Sequence, residues 1–146
     1  MNKGPILCVD DDPDVLKSIE TILSTEGYAT LKGNDGQEGL EVFQENRKKL
    51  WGIFVDAKMP RMNGLDLAKE VRKADPKLPI ILVTAYLAGK NSPAADENIT
   101  VKQYHDAGIN GHIEKPFSLD NLMEAVHISF DTYAEKHLQG GPRLRH

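Results

Sequence analysis

Short apolar runs alternate along this chain with longer stretches whose apolar positions recur at helical spacing, the rhythm of a doubly wound α/β domain. Residues 5–9 read as a strand buried on both faces, because the run is continuously apolar. Asp12 then caps a helix with Pro13 in its first turn and Val15, Ile19, Ile22 and Leu23 on one face, ending near Gly27. Tyr28 to Lys32 alternates enough for a less buried strand, and Asp35 with Glu38 makes a capping pair for a helix carrying Leu40 and Phe43. Trp51 to Val55 is the third strand. Asn63 caps a helix with Leu65, Ala68 and Val71 inward, which the Asp75-Pro76 step ends, and Pro79 introduces a fourth strand, Ile80 to Val83.

The rhythm breaks after Ala85. Gly89, Asn91, Ser92, Pro93, Asp96 and Asn98 mark a loop where a helix is due. Thr100 to Ala107 is the predicted helix, stopped by Gly108, and a short fifth strand falls within Ile109 to Glu114. Ser118 caps a last helix in which Leu119, Leu122, Met123, Val126, Phe130, Tyr133 and Ala134 keep helical spacing, so that it packs on the sheet. One domain over residues 1–138 and a flexible, basic tail at 139–146 follow as the expected organisation.

Composition narrows the class. The 146 residues are the size of one ordinary domain, and 18 basic against 22 acidic side chains give a net charge of −4, which disfavours nucleic acid as a direct partner. Cys8, the single cysteine, sits in an apolar strand and reads as a small core residue. No apolar run approaches membrane-spanning length and the N-terminal one is too short for a signal peptide, so a soluble, cytoplasmic protein with no membrane partner is expected.

The candidate chemistry lies at strand ends. Asp10 and Asp11 follow the first apolar run and Asp56 follows Ile53, Phe54 and Val55. On neighbouring parallel strands these acids converge at the carboxyl edge of the sheet, where open α/β folds bind ligands. Like charges that close persist only if one is protonated or a hard cation sits among them, so an oxygen-lined Mg²⁺ (or Mn²⁺) site is expected. Thr84 ends the fourth strand and Lys115 follows the fifth. At a phosphoryl site Asp56 is a nucleophile, Asp11 and Asp56 hold the metal, Thr84 donates a hydrogen bond and Lys115 supplies a point charge.

The segments ILCVDDDPDV, FVDAKMPRMNGLDL, PIILVTAY and HIEKPFS, in that order and each at a strand end, resemble the receiver domain of two-component response regulators, single-domain and chemotaxis-regulator-like, from about Pro5 to Leu138. The resemblance implies a flavodoxin-like five-stranded parallel sheet of order 2-1-3-4-5 with the site at its switch point. It implies Asp56 as phosphoacceptor, Asp10 and Asp11 as the metal-binding pair with the Lys58 backbone carbonyl as a further ligand, and Thr84 and Lys115 as switch hydroxyl and phosphoryl-contacting lysine. It also implies a cis Lys115-Pro116 bond. The chain then catalyses its own phosphorylation and dephosphorylation and is no turnover enzyme on a separate substrate. A sensor histidine kinase or histidine phosphotransfer protein is the donor. The signal leaves through an unknown downstream protein, with phosphorylation-dependent dimerisation left open.

Three departures from the family pattern stand out. The interval from Thr84 to Lys115 is longer by about nine residues, an insertion that could be a lid, a partner-binding element or a tolerated surface loop. His112 occupies the place of an aromatic switch residue and reads equally as a switch or as a surface histidine on a short edge strand. Lys58 and Tyr86 stand two places after Asp56 and Thr84, positions whose side chains overhang the phosphoryl group in the family it resembles, and are expected to alter the lifetime of the aspartyl phosphate. Met59, Pro60 and Met62 read as a turn packed under the site. Competing readings are a non-phosphorylated receiver-like interaction module using the inserted loop 86–99, a Mg²⁺ phosphohydrolase with an aspartyl intermediate, and a flavin binder. The intact acceptor, acidic pair, threonine and lysine count against the first. The second lacks a cap domain and a second acid two places after Asp56. The third needs a Ser/Thr/Gly-rich loop where this chain has DDDPD.

Overall fold

The computed structural model describes residues 3–59, 61–85 and 101–138. The inserted loop 86–99, Tyr86, Pro60 and the tail 139–146 lie outside the described residues. Strands and helices alternate as β1 (Lys3–Val9), α1 (Pro13–Thr25), β2 (Tyr28–Gly33), α2 (Gly36–Asn46), β3 (Gly52–Asp56), α3 (Gly64–Ala74), β4 (Ile80–Thr84), α4 (Val101–Asp106), β5 (Gly111–Glu114) and α5 (Leu119–Ala125). A π-helical stretch, Val126–Asp131, carries α5 on into α6 (Thr132–His137). The strands form one parallel sheet of order β2-β1-β3-β4-β5. Among the described residues no helix is long and apolar enough to cross a membrane.

Strand alternation sends neighbouring apolar residues to opposite layers, so a continuous apolar run serves two cores. Leu7, Val9, Ile53, Val55 and Leu82 pack with Phe43, Leu67, Val71 and Tyr104 from α2, α3 and α4. Ile6, Cys8, Phe54, Ile81 and Val83 pack with Leu16, Ile19 and Leu23 of α1 and with Leu122, Val126 and Phe130 of the last helical run. Each fully buried Leu, Ile or Phe contributes roughly 1.5–3 kcal/mol of transfer free energy. The register follows: Val9 lies beside Val55, and Asp56 beside Val83, which aligns the carboxyl ends of the central strands.

The helix starts are set by side chains expected for the task. Asp12, Asp35, Asn63 and Ser118 each accept a hydrogen bond from the first turn of the helix they precede. Asp35 takes the Glu38 amide while the Glu38 carboxylate accepts from the Asn34 amide.

Three expectations need correction. β1 begins at Lys3, two residues before the apolar run, because Gly4 bends the chain at a φ of 100° and the pairing with β2 shifts register between Lys3 and Ile6. Leu119, expected to face the sheet, is 51% exposed. The last helix is also not uniformly α-helical. Leu122, Val126, Phe130 and Ala134 are all fully buried and recur every four residues. An α-helix of 3.6 residues per turn rotates such a series off its own face, and the wider π turn brings Phe130 and Ala134 back over the sheet. Phe130 then lies edge-on to Phe54, ring centroids 4.9 Å apart, and fills the space above Gly52, where a β-carbon would collide with its ring.

Candidate phosphoryl and metal site

Among the described residues three buried polar side chains interrupt the core, and all three close central strands: Asp10 follows β1, Asp56 ends β3 and Thr84 ends β4. Parallel strands with matched ends leave the next residues at one edge, so chain direction alone brings these groups together. Asp11, exposed beside Asp10, completes a set in which one carboxylate oxygen from each of Asp10, Asp11 and Asp56 lies within 4.8 Å of the others. Lys115 arrives from the next strand position, its backbone amide donating to the Thr84 carbonyl at 3.0 Å. Its ammonium stands 3.0 Å from Asp10 Oδ2 and 3.4 Å from Asp56 Oδ1. The Lys115-Pro116 peptide is cis, as the sequence resemblance implies.

Burial shapes the charges. Desolvation raises the Asp56 carboxyl to about 6, with the neighbouring Asp10 charge adding to the rise and Lys115 opposing it. Asp10 is raised for the same first reason, although the Asp12 amide, donating to Asp10 Oδ1 at 2.8 Å, and Lys115 both favour its ionised form. Burial would depress Lys115, yet the hydrogen bond to Asp10 and the Asp56 charge outweigh it and the ammonium is held above its ordinary value. One lysine therefore does not neutralise the pocket. A cluster of hard carboxylate oxygens with charge to spare fits a small divalent cation, with Asp10, Asp11 and Asp56 as its holders. Lys58 is exposed on the loop after β3.

Met59 is buried in the α2–α3 core and Met62 packs against it, which seats the loop after Asp56 as the sequence suggested. His112 is neither free nor deeply buried: its Nδ1 lies 3.2 Å from the Tyr104 hydroxyl and its Nε2 4.0 Å from Glu114. Cys8 is buried and its thiol is pushed up by desolvation, so it is an inert core residue. Sequence reasoning missed Arg61, whose guanidinium reaches 26 residues back to Asp35. No local pattern announces such a pairing. A groove of about 560 Å³ opens beside Lys115, with Val15, Ser18 and Ile22 of α1 on one wall and Pro116 and Phe117 on the other.

Comparison with known proteins matches the response regulator receiver domain model over residues 6–127. Transcriptional regulatory protein GlrR of Escherichia coli (strain K12) is 33% identical over 83% of this chain and 25% of its own length. Response regulator MprA of Mycobacterium leprae (strain TN) is 33% identical over 83% of this chain and 48% of its own. The chain thus spans a quarter to a half of the curated relatives it matches. Among solved structures, a response regulator receiver domain protein from Clostridium thermocellum superposes with a TM-score of 0.75 at 25% identity, covering 88% of this chain and 95% of that one. A CheY-like receiver domain protein from Methanospirillum hungatei JF-1 gives 0.75 at 27%, covering 92% and 99%.

Proposed function

This chain belongs to the response regulator receiver family, and on that premise we propose that it accepts a phosphoryl group on Asp56 from a histidine kinase or histidine phosphotransfer protein. The observation that supports this most directly is the meeting of a buried strand-end carboxylate with two further acids and one lysine. A non-nucleophilic binding module needs none of these groups.

Asp56 attacks the phosphorus as its ionised form, a P–O bond forming while the donor's P–N bond breaks and the electron pair returns to the donor imidazole. Asp10, Asp11 and Asp56, with the Lys58 carbonyl, are the residues that would hold Mg²⁺. Bound there, the cation neutralises charge on the transferred oxygens. Lys115 leaves Asp10 for a phosphoryl oxygen, and Thr84 donates to another. Both moves pull on the carboxyl ends of β4 and β5, and so on the surface that α4, β5 and α5 present. The apolar groove between α1 and Phe117 offers the donor protein a contact surface next to the acceptor. Phosphorylation would then be read out through a protein partner.

Incubation with acetyl phosphate tests the reading. A Mg²⁺-dependent phosphate that hydroxylamine removes, as it does from an acyl phosphate, is expected. A phosphate stable to hydroxylamine would place the modification elsewhere.

A further inference from the structure

Arg61, on the loop between β3 and α3, has a φ of 69°, the only non-glycine residue with positive φ among those described. That backbone region disfavours a residue with a β-carbon, so something must hold Arg61 in it. Asp35 does so. Its Oδ2 accepts from Arg61 Nε at 2.9 Å and lies 2.7 Å from Nη2, a two-nitrogen grip, while its Oδ1 caps α2 by accepting from the Glu38 amide at 2.8 Å. The loop also lies flush on the start of α2, since a β-carbon on Gly36 would collide with the Met62 carbonyl. At its far end the loop closes on the acceptor: the Gly64 amide donates to the Ala57 carbonyl at 3.1 Å, and a β-carbon on Gly64 would collide with the Asp56 carbonyl. The loop that carries Lys58 is therefore closed on Asp56 through Gly64 and tied, through Arg61, to the cap of α2.

We infer that the Asp35–Arg61 pair is a clamp that holds the loop after Asp56 in its metal-binding conformation, making both side chains positioning residues for the divalent cation. This rests on the reading of Asp10, Asp11, Asp56 and the Lys58 carbonyl as its ligands. Arg61 is 61% exposed, and an exposed pair of this kind adds little to global stability. Its effect is on the population of one loop conformer, and apparent affinity falls in proportion to that population.

Electrostatics and clamping make opposite forecasts for one variant. Removing the Arg61 cation near an acidic pocket strengthens Mg²⁺ binding if only charge matters, whereas removing the Asp35 carboxylate weakens it. The clamp requires both to weaken it. Calorimetric titration of MgCl₂ into the whole chain, with unfolding midpoints measured alongside, separates the two. Arg61→Ala and Asp35→Asn, the latter keeping an oxygen for the α2 cap, are each expected to lower Mg²⁺ affinity by about three- to tenfold. The double variant is no weaker than the singles, because the two residues act as one device. Arg61→Gly binds more tightly than Arg61→Ala, because glycine takes the positive φ without strain. An Arg61→Ala chain that binds Mg²⁺ as well as or better than wild type, or effects that simply add, would overturn the clamp while leaving the metal site standing. A wild type that binds no Mg²⁺ overturns both.

Discussion

Lys115 stands closer to Asp10 than to Asp56, the proposed acceptor, at 3.0 Å against 3.4 Å. The lysine relieves the repulsion between two buried acids and already stands beside the proposed acceptor. Removing it leaves both carboxylates without their cation. Lys115→Ala is expected to destabilise the metal-free protein by about 1–3 kcal/mol at neutral pH, less than the roughly 3–5 kcal/mol lost from a fully buried pair because the side chain is partly exposed. Urea unfolding measures this, and saturating Mg²⁺ should recover most of the loss.

The raised Asp56 carboxyl makes stability depend on pH in a definite direction. Its folded value of about 6 exceeds the ordinary 3.8, so the folded state binds the proton more tightly. The contribution of this group therefore falls as pH rises from about 4 to about 6 and stays low above that. Asp56→Asn, uncharged throughout, should be more stable than wild type at pH 7 without metal, by about 1–3 kcal/mol, with the difference vanishing near pH 4. Mg²⁺ affinity of the wild type should weaken below about pH 6, where the ligand protonates. Unfolding midpoints and Mg²⁺ titrations across this range check both.

Phe130 offers a test of the π-helical correction to the fold. It is fully buried, packs on Phe54 and roofs Gly52. Phe130→Ala is expected to cost about 3–5 kcal/mol, and Gly52→Ala about 1–3 kcal/mol through overpacking of the same spot. The two should not add, because removing the ring gives the new methyl its space. A urea double-mutant cycle reads this out.

Gly64 links stability to the site. A β-carbon there would press on the Asp56 backbone carbonyl. Gly64→Ala should therefore lower Mg²⁺ affinity as well as the unfolding midpoint, the former by about tenfold if the loop after Asp56 is displaced from its binding conformer in nine molecules of ten. Calorimetry on the folded variant checks it.

What could be read in advance follows from how local the cause is. Val9-Asp10 and Val55-Asp56 were legible because a strand buried on both faces writes itself as an unbroken apolar run, and the first acid after it marks the sheet edge. The caps at Asp12, Asp35, Asn63 and Ser118 were legible because each acts within four residues. The Lys3 start of β1 was not, since it depends on pairing with Tyr28. Nor was the π stretch: the four-residue recurrence of Leu122, Val126, Phe130 and Ala134 is compatible with an α-helix until the flat face of the sheet demands that all four point one way. The grip of Asp35 on Arg61 joins two loops through space, and neither loop alone contains its reason.

The central claim is that Asp56 is the residue that accepts the phosphoryl group, and intact-mass spectrometry after incubation with Mg²⁺ and acetyl phosphate tests it most directly, wild type beside Asp56→Ala. A single added phosphoryl on wild type alone, absent in EDTA and lost with time, is the predicted result. An equal adduct on Asp56→Ala, or none on folded wild type that binds Mg²⁺, would contradict it.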